Sequence, residues 1–251
     1  MEEWTDKAIL LSLRPHGEGA AVAALFSAEH GRHAGFVHGA FSKEKSGMLQ
    51  PGNLVHAHWR ARTQDQLGTY TLESLEPFSA HVMDDPLRLA ALLSVCALCD
   101  AALPEREVHA ELFAATQALL TVLTHAGDEL NIWGEAYVKW EIALLRELGF
   151  SLDLSRCAAG GQVNDDLIYV SPKSGGAVSA AAGEPYKDRL LSLPVFLRPQ
   201  ATEMPVPVTL QDIYEGLVLS GAFMEKWAFA QHSQGVPTPR RSLMERMHAR
   251  L

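Results

Sequence analysis

The residue pattern changes period at Glu76-Pro77, and this break narrows the folds open to the chain more than any other feature. Ahead of it, short strand-like runs are separated by glycine or proline: Ala8 to Leu13, Ala34 to His38 between Gly31 and Gly39, Leu54 to Trp59 after Pro51-Gly52, and Thr69 to Leu75. Four such runs with turn residues between them predict a small β-barrel over residues 1–80. Ala20 to Phe26 is ambiguous, because its alanines favour helix while its neighbours favour pairing as a strand.

Beyond Pro77 apolar residues recur at helical spacing, which predicts an α-helical domain over residues 81–251. Asp85-Pro86 supplies an N-cap and a proline at the first helical position, ahead of Leu89, Leu92, Leu93 and Cys96. A second helix is expected from about Glu105 to His125. A third begins near Asp128 and carries Trp133, Tyr137, Trp140 and Leu148 to a capping Gly149. Residues 157–183 break this rhythm with Leu167 to Val170, a turn through Pro172 to Gly176, and Ala177-Val178, the pattern of a hairpin insertion. Helices resume at Tyr186 to Leu191 and at Leu210 to His232, the latter opened by Thr209 and Asp212 as a variant capping box. The fold class is read as α+β.

With 251 residues, 47% of them hydrophobic, the chain can bury one substantial core or two modest ones. It has no run of about 18 apolar residues. Met1-Glu2-Glu3-Trp4-Thr5-Asp6 is acidic where a secretory signal is basic and then apolar. Three cysteines make no disulfide framework, so the expected location is the cytoplasm. A net charge of −9 opposes nucleic-acid binding on a simple count, since phosphate is neutralised by Lys and Arg. The distribution says otherwise. Between residues 30 and 62 stand Arg32, Lys43, Lys45, Arg60 and Arg62 against the single acid Glu44, with five histidines among them. Phe36, Phe41 and Trp59 are interleaved with these bases, and stacking beside phosphate contacts is the chemistry of single-strand binding. A solvated loop beside core aromatics accounts for the same residues. A second basic run, Arg240, Arg241, Arg246 and Arg250 against Glu245, closes the chain.

Other constellations carry less. Cys96 and Cys99 have metal-pair spacing but lie within a helix without a second pair, which reads as buried thiols. His30, His33, His38, His56 and His58 match no metal signature and read as polar positions on a binding face. Gly17-Glu18-Gly19 imitates the start of a dinucleotide fingerprint, but Val22 stands where its third glycine or alanine belongs, so a tight turn explains it better. Ser27, Ser42 and Ser46 lack a nucleophile frame, and neither a P-loop nor an H-E-x-x-H occurs. No catalytic residue, metal or cofactor is expected.

One resemblance covers most of the chain in order. Leu13-Arg14-Pro15-His16-Gly17-Glu18, Leu25-Phe26-Ser27, Glu29-His30-Gly31-Arg32, Gly39-Ala40, Ser42-Lys43 and Leu49-Gln50-Pro51 resemble the N-terminal domain of the bacterial recombination mediator family RecO. Trp140 to Leu145, Leu148-Gly149-Phe150, Cys157-Ala158, Asp165-Asp166 and Pro239 to Leu243 resemble its second half. The resemblance implies a five-stranded oligonucleotide-binding (OB) barrel ahead of an α-helical domain, and makes Ala20 to Phe26 the missing strand. It implies binding of single- and double-stranded DNA, annealing of complementary strands, contact with the acidic tail of the single-strand binding protein SSB, and work with RecR to load RecA. It also implies RecF as a further partner and the nucleoid as the place of action.

On that reading Arg32, Lys43, Lys45, Arg60 and Arg62 neutralise phosphates, while Phe36, Phe41 or Trp59 offers a stacking face. Lys139 beside Tyr137 and Trp140 is the candidate for the acidic, apolar SSB tail. Two departures stand out. Many relatives carry a four-cysteine zinc site beginning near Cys157, and here Gly160 and residues 176–182 supply no further cysteine, so no structural zinc is expected. The often basic loop reads Phe41-Ser42-Lys43-Glu44-Lys45-Ser46, which predicts weaker, more salt-sensitive DNA binding and reliance on partners. A structural adaptor that binds no DNA and a nucleotide-cofactor enzyme built on Gly17-Glu18-Gly19 are the competing readings.

Overall fold

The computed structural model describes residues 1–127, 129–160, 166–199 and 207–251. By internal contact the chain forms two compact units, Met1–His125 with Pro237–Leu243 and Ala126–Val236 with Met244–Leu251. The division read near residue 80 follows the change of period, whereas contact groups the next three helices with the barrel.

In the first unit β1 (Glu2–His16), β2 (Ala20–Ser27), β3 (Gly31–His38), β4 (Leu54–Ala61) and β5 (Thr69–Glu76) close into a barrel of order β1-β2-β3-β5-β4. Neighbours run antiparallel except β3 and β5, which meet in parallel at Phe36 and Thr69. This is the OB architecture. Ala20 to Phe26 is indeed a strand. Ala21, Ala23 and Leu25 enter the narrow interior, and Phe26 packs outward against Phe113 at 5.5 Å, so burial on both faces overrides alanine's helical preference. β1 is longer than the sequence suggests because it pairs with β4 over its first half and β2 over its second, with a bulge between Leu10 and Ser12.

Three helices follow: α1 (Phe78–Val82), α2 (Pro86–Ala102) and α3 (Ala110–His125). The Asp85 side chain caps α2 by accepting from the Leu87 and Arg88 N–H groups. The helix expected from Glu105 starts only at Ala110. Ahead of it Arg106 adopts φ 63°, which no right-handed helix accommodates, and its N–H donates to the Arg32 carbonyl at 2.7 Å. Residues 103–109 therefore form a strap along β3.

The second unit contains α4 (Leu130–Glu147), β6 (Leu167–Val170), β7 (Ala177–Ser179), α5 (Ala180–Gly183), β8 (Leu191–Ser192) and α6 (Leu210–Phe223). The α4 start expected at Asp128, and Asp165 of the resemblance, lie outside the described residues. Gly149, at φ 87°, ends the α4 turn as expected. The hairpin is present as β6 and β7, but β8 joins it in the order β7-β6-β8. The helix expected at Tyr186 is a 3-10 turn, Glu184–Arg189, since Leu191 and Ser192 pair with Val170 and Tyr169. α6 has the expected Thr209 and Asp212 capping box, yet after Phe223 it widens into one π turn, Met224–Ala228, closed by the Phe229 N–H donating to the Met224 carbonyl. A last helix, α7 (Thr238–His248), has no counterpart in the sequence reading. No helix among the described residues is long and apolar enough to cross a membrane.

Candidate nucleic-acid interface

Strand alternation divides the predicted binding residues into two sets. On β4, Ala57 and Trp59 point inward and Arg60 outward. Trp59 is 2% exposed and cannot stack on a base. It fills the barrel beside Trp4, at 5.8 Å, and its Nε1 donates to the Leu67 carbonyl at 2.9 Å. His33 and Tyr70 complete this cluster, with the Tyr70 hydroxyl 2.9 Å from His33 Nδ1. Burial, then the nearby Arg106 and His30 charges, lower the His33 pKa from 6.5 to about 4, and burial raises that of Tyr70.

Arg32 is also taken out of the binding set. Its Nε donates to the Leu103 carbonyl at 2.8 Å and its Nη1 to Asp100 at 3.4 Å, leaving the side chain 21% exposed. Asp100 on α2 accepts from Ser12 and Arg14 of β1 as well, so Arg32 belongs to the clamp joining α2 to the barrel.

Arg60 and Arg62 are free of such duty. With Phe36, Gln66, Thr69 and Met1 they line an open groove of about 530 Å³. One wall is β3, where Phe36 lies 5.0 Å from His16 at the end of β1. The other is the β4–β5 connection, whose Gly68 carbonyl accepts from the Phe36 N–H at 3.0 Å. A π face beside two guanidinium groups suits a base and the phosphates flanking it. In OB folds ligands take the β2–β3 face beside the β1–β2 and β4–β5 loops; this groove shares with that site its β3 wall and the β4–β5 connection. Phe36 thus lines the groove and Trp59 does not.

The remaining predicted cations sit on the β3–β4 connection. Lys43 is exposed, Lys45 donates to the His38 carbonyl at 2.8 Å, and Phe41 is 53% exposed beside them. Sequence reasoning missed Gln66 and Arg106. The latter lies in Leu103-Pro104-Glu105-Arg106, where a proline ahead of Glu105 reads as a helix start and nothing in the sequence marks Arg106 as left-handed.

In the second unit Tyr137 and Trp140 are buried in the core and offer no groove, which corrects the aromatic part of the tail site. Lys139 is exposed on α4 and paired with Glu135 one turn away. The residues at the family's zinc position do not fit the metal. Cys157 is buried, its Sγ accepts from the Ser179 N–H at 3.3 Å, and among the described residues no three His, Cys, Asp or Glu side chains converge as ligands. The hairpin turn is fastened otherwise. Lys226, on the π turn, donates to the Pro172 and Lys173 carbonyls at 2.5 and 3.1 Å. Trp227 stacks on Phe150 at 5.7 Å and covers Gly175, where a Cβ would lie 2.9 Å from the indole and φ is +74°.

Cys96 and Cys99 are buried thiols; burial raises both, Cys96 to about 12. Gly17-Glu18-Gly19 is the β1–β2 turn, followed by a strand, so it lacks the helix N-terminus a dinucleotide phosphate requires.

Comparison with known proteins agrees with this geometry. Residues 1–78 match the family model "Recombination protein O N terminal" and residues 83–227 match "Recombination protein O C terminal". DNA repair protein RecO of Rhodospirillum centenum is 51% identical over 245 residues, 97% of this chain and 94% of that protein. The Rhodospirillum rubrum protein of the same name is 46% identical over 98% of this chain and 97% of its own length. That of Caulobacter vibrioides is 42% identical over 98% and 97%. With an OB barrel, a helical region bearing a small sheet, and matches along nearly its whole length, the chain belongs to the RecO family of DNA repair proteins.

Proposed function

We propose that this chain is a recombination mediator of the RecF pathway, one that binds single- and double-stranded DNA, anneals complementary strands, contacts the SSB tail and helps RecR load RecA. The observation that carries the reading is the open groove in which Phe36 accompanies Arg60 and Arg62. Stacking contributes about 1–3 kcal/mol per base whatever the sequence, which suits a protein that must accept any strand. Lys43 and Lys45 with Phe41 extend the cationic surface for a second strand or a duplex. On a chain of net charge −9 these few cations give modest affinity, so partners assist its delivery to DNA.

The test is annealing of complementary single strands, with and without SSB, across salt. Arg60→Glu with Arg62→Glu is expected to lower single-strand affinity by about two orders of magnitude at low salt, and Lys43→Glu with Lys45→Glu to slow annealing. If the unmodified chain neither binds nor anneals DNA at low salt, the reading fails and a structural adaptor, which the acidic charge favours, takes its place. Lys139 on α4, two turns beyond the exposed Ile132, is the residue we assign to the SSB tail. Equal affinity of a labelled tail peptide for the unmodified chain and Lys139→Ala would remove it.

A further inference from the structure

Arg106 is, among the described residues, the one non-glycine residue with a left-handed backbone, at φ 63°. A side chain makes that conformation costly, and it persists where the surroundings impose it. Here they do so from both sides. The Arg106 N–H donates to the Arg32 carbonyl at 2.7 Å, Glu105 bridges to Arg32, and the Glu107 carbonyl lies 1.8 Å from where a Cβ on Gly31 would stand. The strap is thus pressed onto β3 at a position only glycine can occupy, Gly31 itself having φ 65°.

From this fixed base the side chain reaches the other wall of the groove. Arg106 Nη1 donates to the Gln64 carbonyl at 2.6 Å and Nη2 to the Gln66 carbonyl at 3.3 Å. The next two carbonyls of the β4–β5 connection are held as well, Leu67 by Trp59 Nε1 and Gly68 by the Phe36 N–H. The inner half of the connection is therefore tied by the barrel, and its outer half by the forked head of Arg106. Arg62 stands at the start of this connection, and Gln66 and Leu67 line the groove.

We infer that Arg106 is a positioning residue: its guanidinium fixes the β4–β5 connection as one wall of the groove, and touches backbone carbonyls in place of phosphate. The inference rests on the groove being the single-strand site. The two proposals can fail separately, because the clamp is visible without DNA.

The measurement is hydrogen exchange of the full chain, followed by single-strand affinity over a range of salt, for Arg106→Gly and Arg106→Lys. Glycine accepts the left-handed backbone, so Arg106→Gly removes the clamp while relieving strain, and its melting temperature verifies folding. Amides 63–66 are expected to exchange roughly fivefold faster, the factor that about 1 kcal/mol corresponds to, with the rest of the barrel unchanged. Affinity should fall by a similar factor while the slope of log K against log salt stays that of the unmodified chain. Arg62→Ala, by contrast, should reduce that slope by about 0.7, one single-strand phosphate contact. Arg106→Lys keeps the charge but loses the fork, so it should follow Arg106→Gly in exchange; it decides the matter if the glycine variant does not fold. Unchanged exchange at 63–66 overturns the clamp, and a slope reduced as for Arg62→Ala makes Arg106 a phosphate contact instead. Absence of DNA binding by the unmodified chain overturns the groove assignment and leaves the exchange result to judge the clamp.

Discussion

In the barrel each of β1 to β5 has a paired strand on both sides, while the three-stranded sheet of β6 to β8 does not close on itself and takes support from outside its strands, the Ala177 N–H and carbonyl on β7 bonding to Asp153 and Ala158. The barrel's large rings, Trp59 and Tyr70, point inward; Trp59 holds the β4–β5 connection through the Leu67 carbonyl and Tyr70 bonds to His33 on β3. The small sheet depends on Lys226 and Trp227 of the π turn, which fasten its hairpin from a different element. A closed sheet satisfies its backbone within itself, so residues such as Arg60 and Arg62 at its surface are not drawn into holding its strands. An open sheet draws on nearby cations for its own carbonyls, and Lys226 is spent that way. Arg32 shows the limit of the rule, since it faces outward yet serves the junction with α2.

The largest effect should come from the ring that closes the barrel core. Trp59→Ala removes a fully buried indole and the hold on Leu67, and is expected to cost about 3–5 kcal/mol in urea unfolding. The loss should be global, appearing equally in every barrel probe. A loss below about 1 kcal/mol would mean that the barrel does not depend on its inward aromatics, and the contrast with the small sheet would collapse.

Acid should act on the same cluster. Unfolded His33 takes up a proton below pH 6.5, whereas the folded residue does so only near pH 4. Between those values the unfolded state binds more protons, so stability falls as the pH drops through this window. Partial solvation of the site limits the effect to about 2 kcal/mol. Urea midpoints at pH 7 and pH 4.5 measure it, and His33→Gln should flatten the dependence. An equally steep fall in that variant would assign the acid sensitivity to other groups.

A smaller, local effect is expected at the hairpin. Lys226→Ala and Trp227→Ala should each quicken hydrogen exchange in residues 170–179 by an amount equivalent to about 1–2 kcal/mol, with the barrel's unfolding midpoint unchanged. Global unfolding in step with the hairpin would show that the open sheet is no separate cooperative element.

The sequence conveyed much of this division, and its failures have physical causes. Glycine and proline punctuation marked four of the five barrel strands, the first only in part, because turn residues act locally. The Ala20 strand and the full length of β1 were not legible in propensity, since both depend on partners distant in the chain. At the site, charge marked Arg60 and Arg62 but also Arg32, and nothing local to Arg32 announces Asp100, some 70 residues away. Aromatic content marked Phe36 and Trp59 alike, and only the strands' alternation separates a groove-lining ring from a core ring. Arg106 was hidden inside what reads as a helix start.

The smallest effect bears most directly on whether the small sheet needs a metal. Cys157 is a single buried thiol whose sulfur accepts from the Ser179 N–H, while the Ser179 hydroxyl in turn accepts from Ala182 N–H and caps α5. A serine at position 157 offers an oxygen for the same donor, so Cys157→Ser should cost less than about 1 kcal/mol. A zinc ligand would behave differently, because losing one of four removes the metal and the folding free energy linked to it. Excess chelator should accordingly leave the melting temperature of tag-free protein unchanged, and metal analysis should find zinc well below one equivalent. Stoichiometric zinc, or a melting transition that collapses with chelator, would place the hairpin under metal control and make the Lys226 and Trp227 contacts secondary to it.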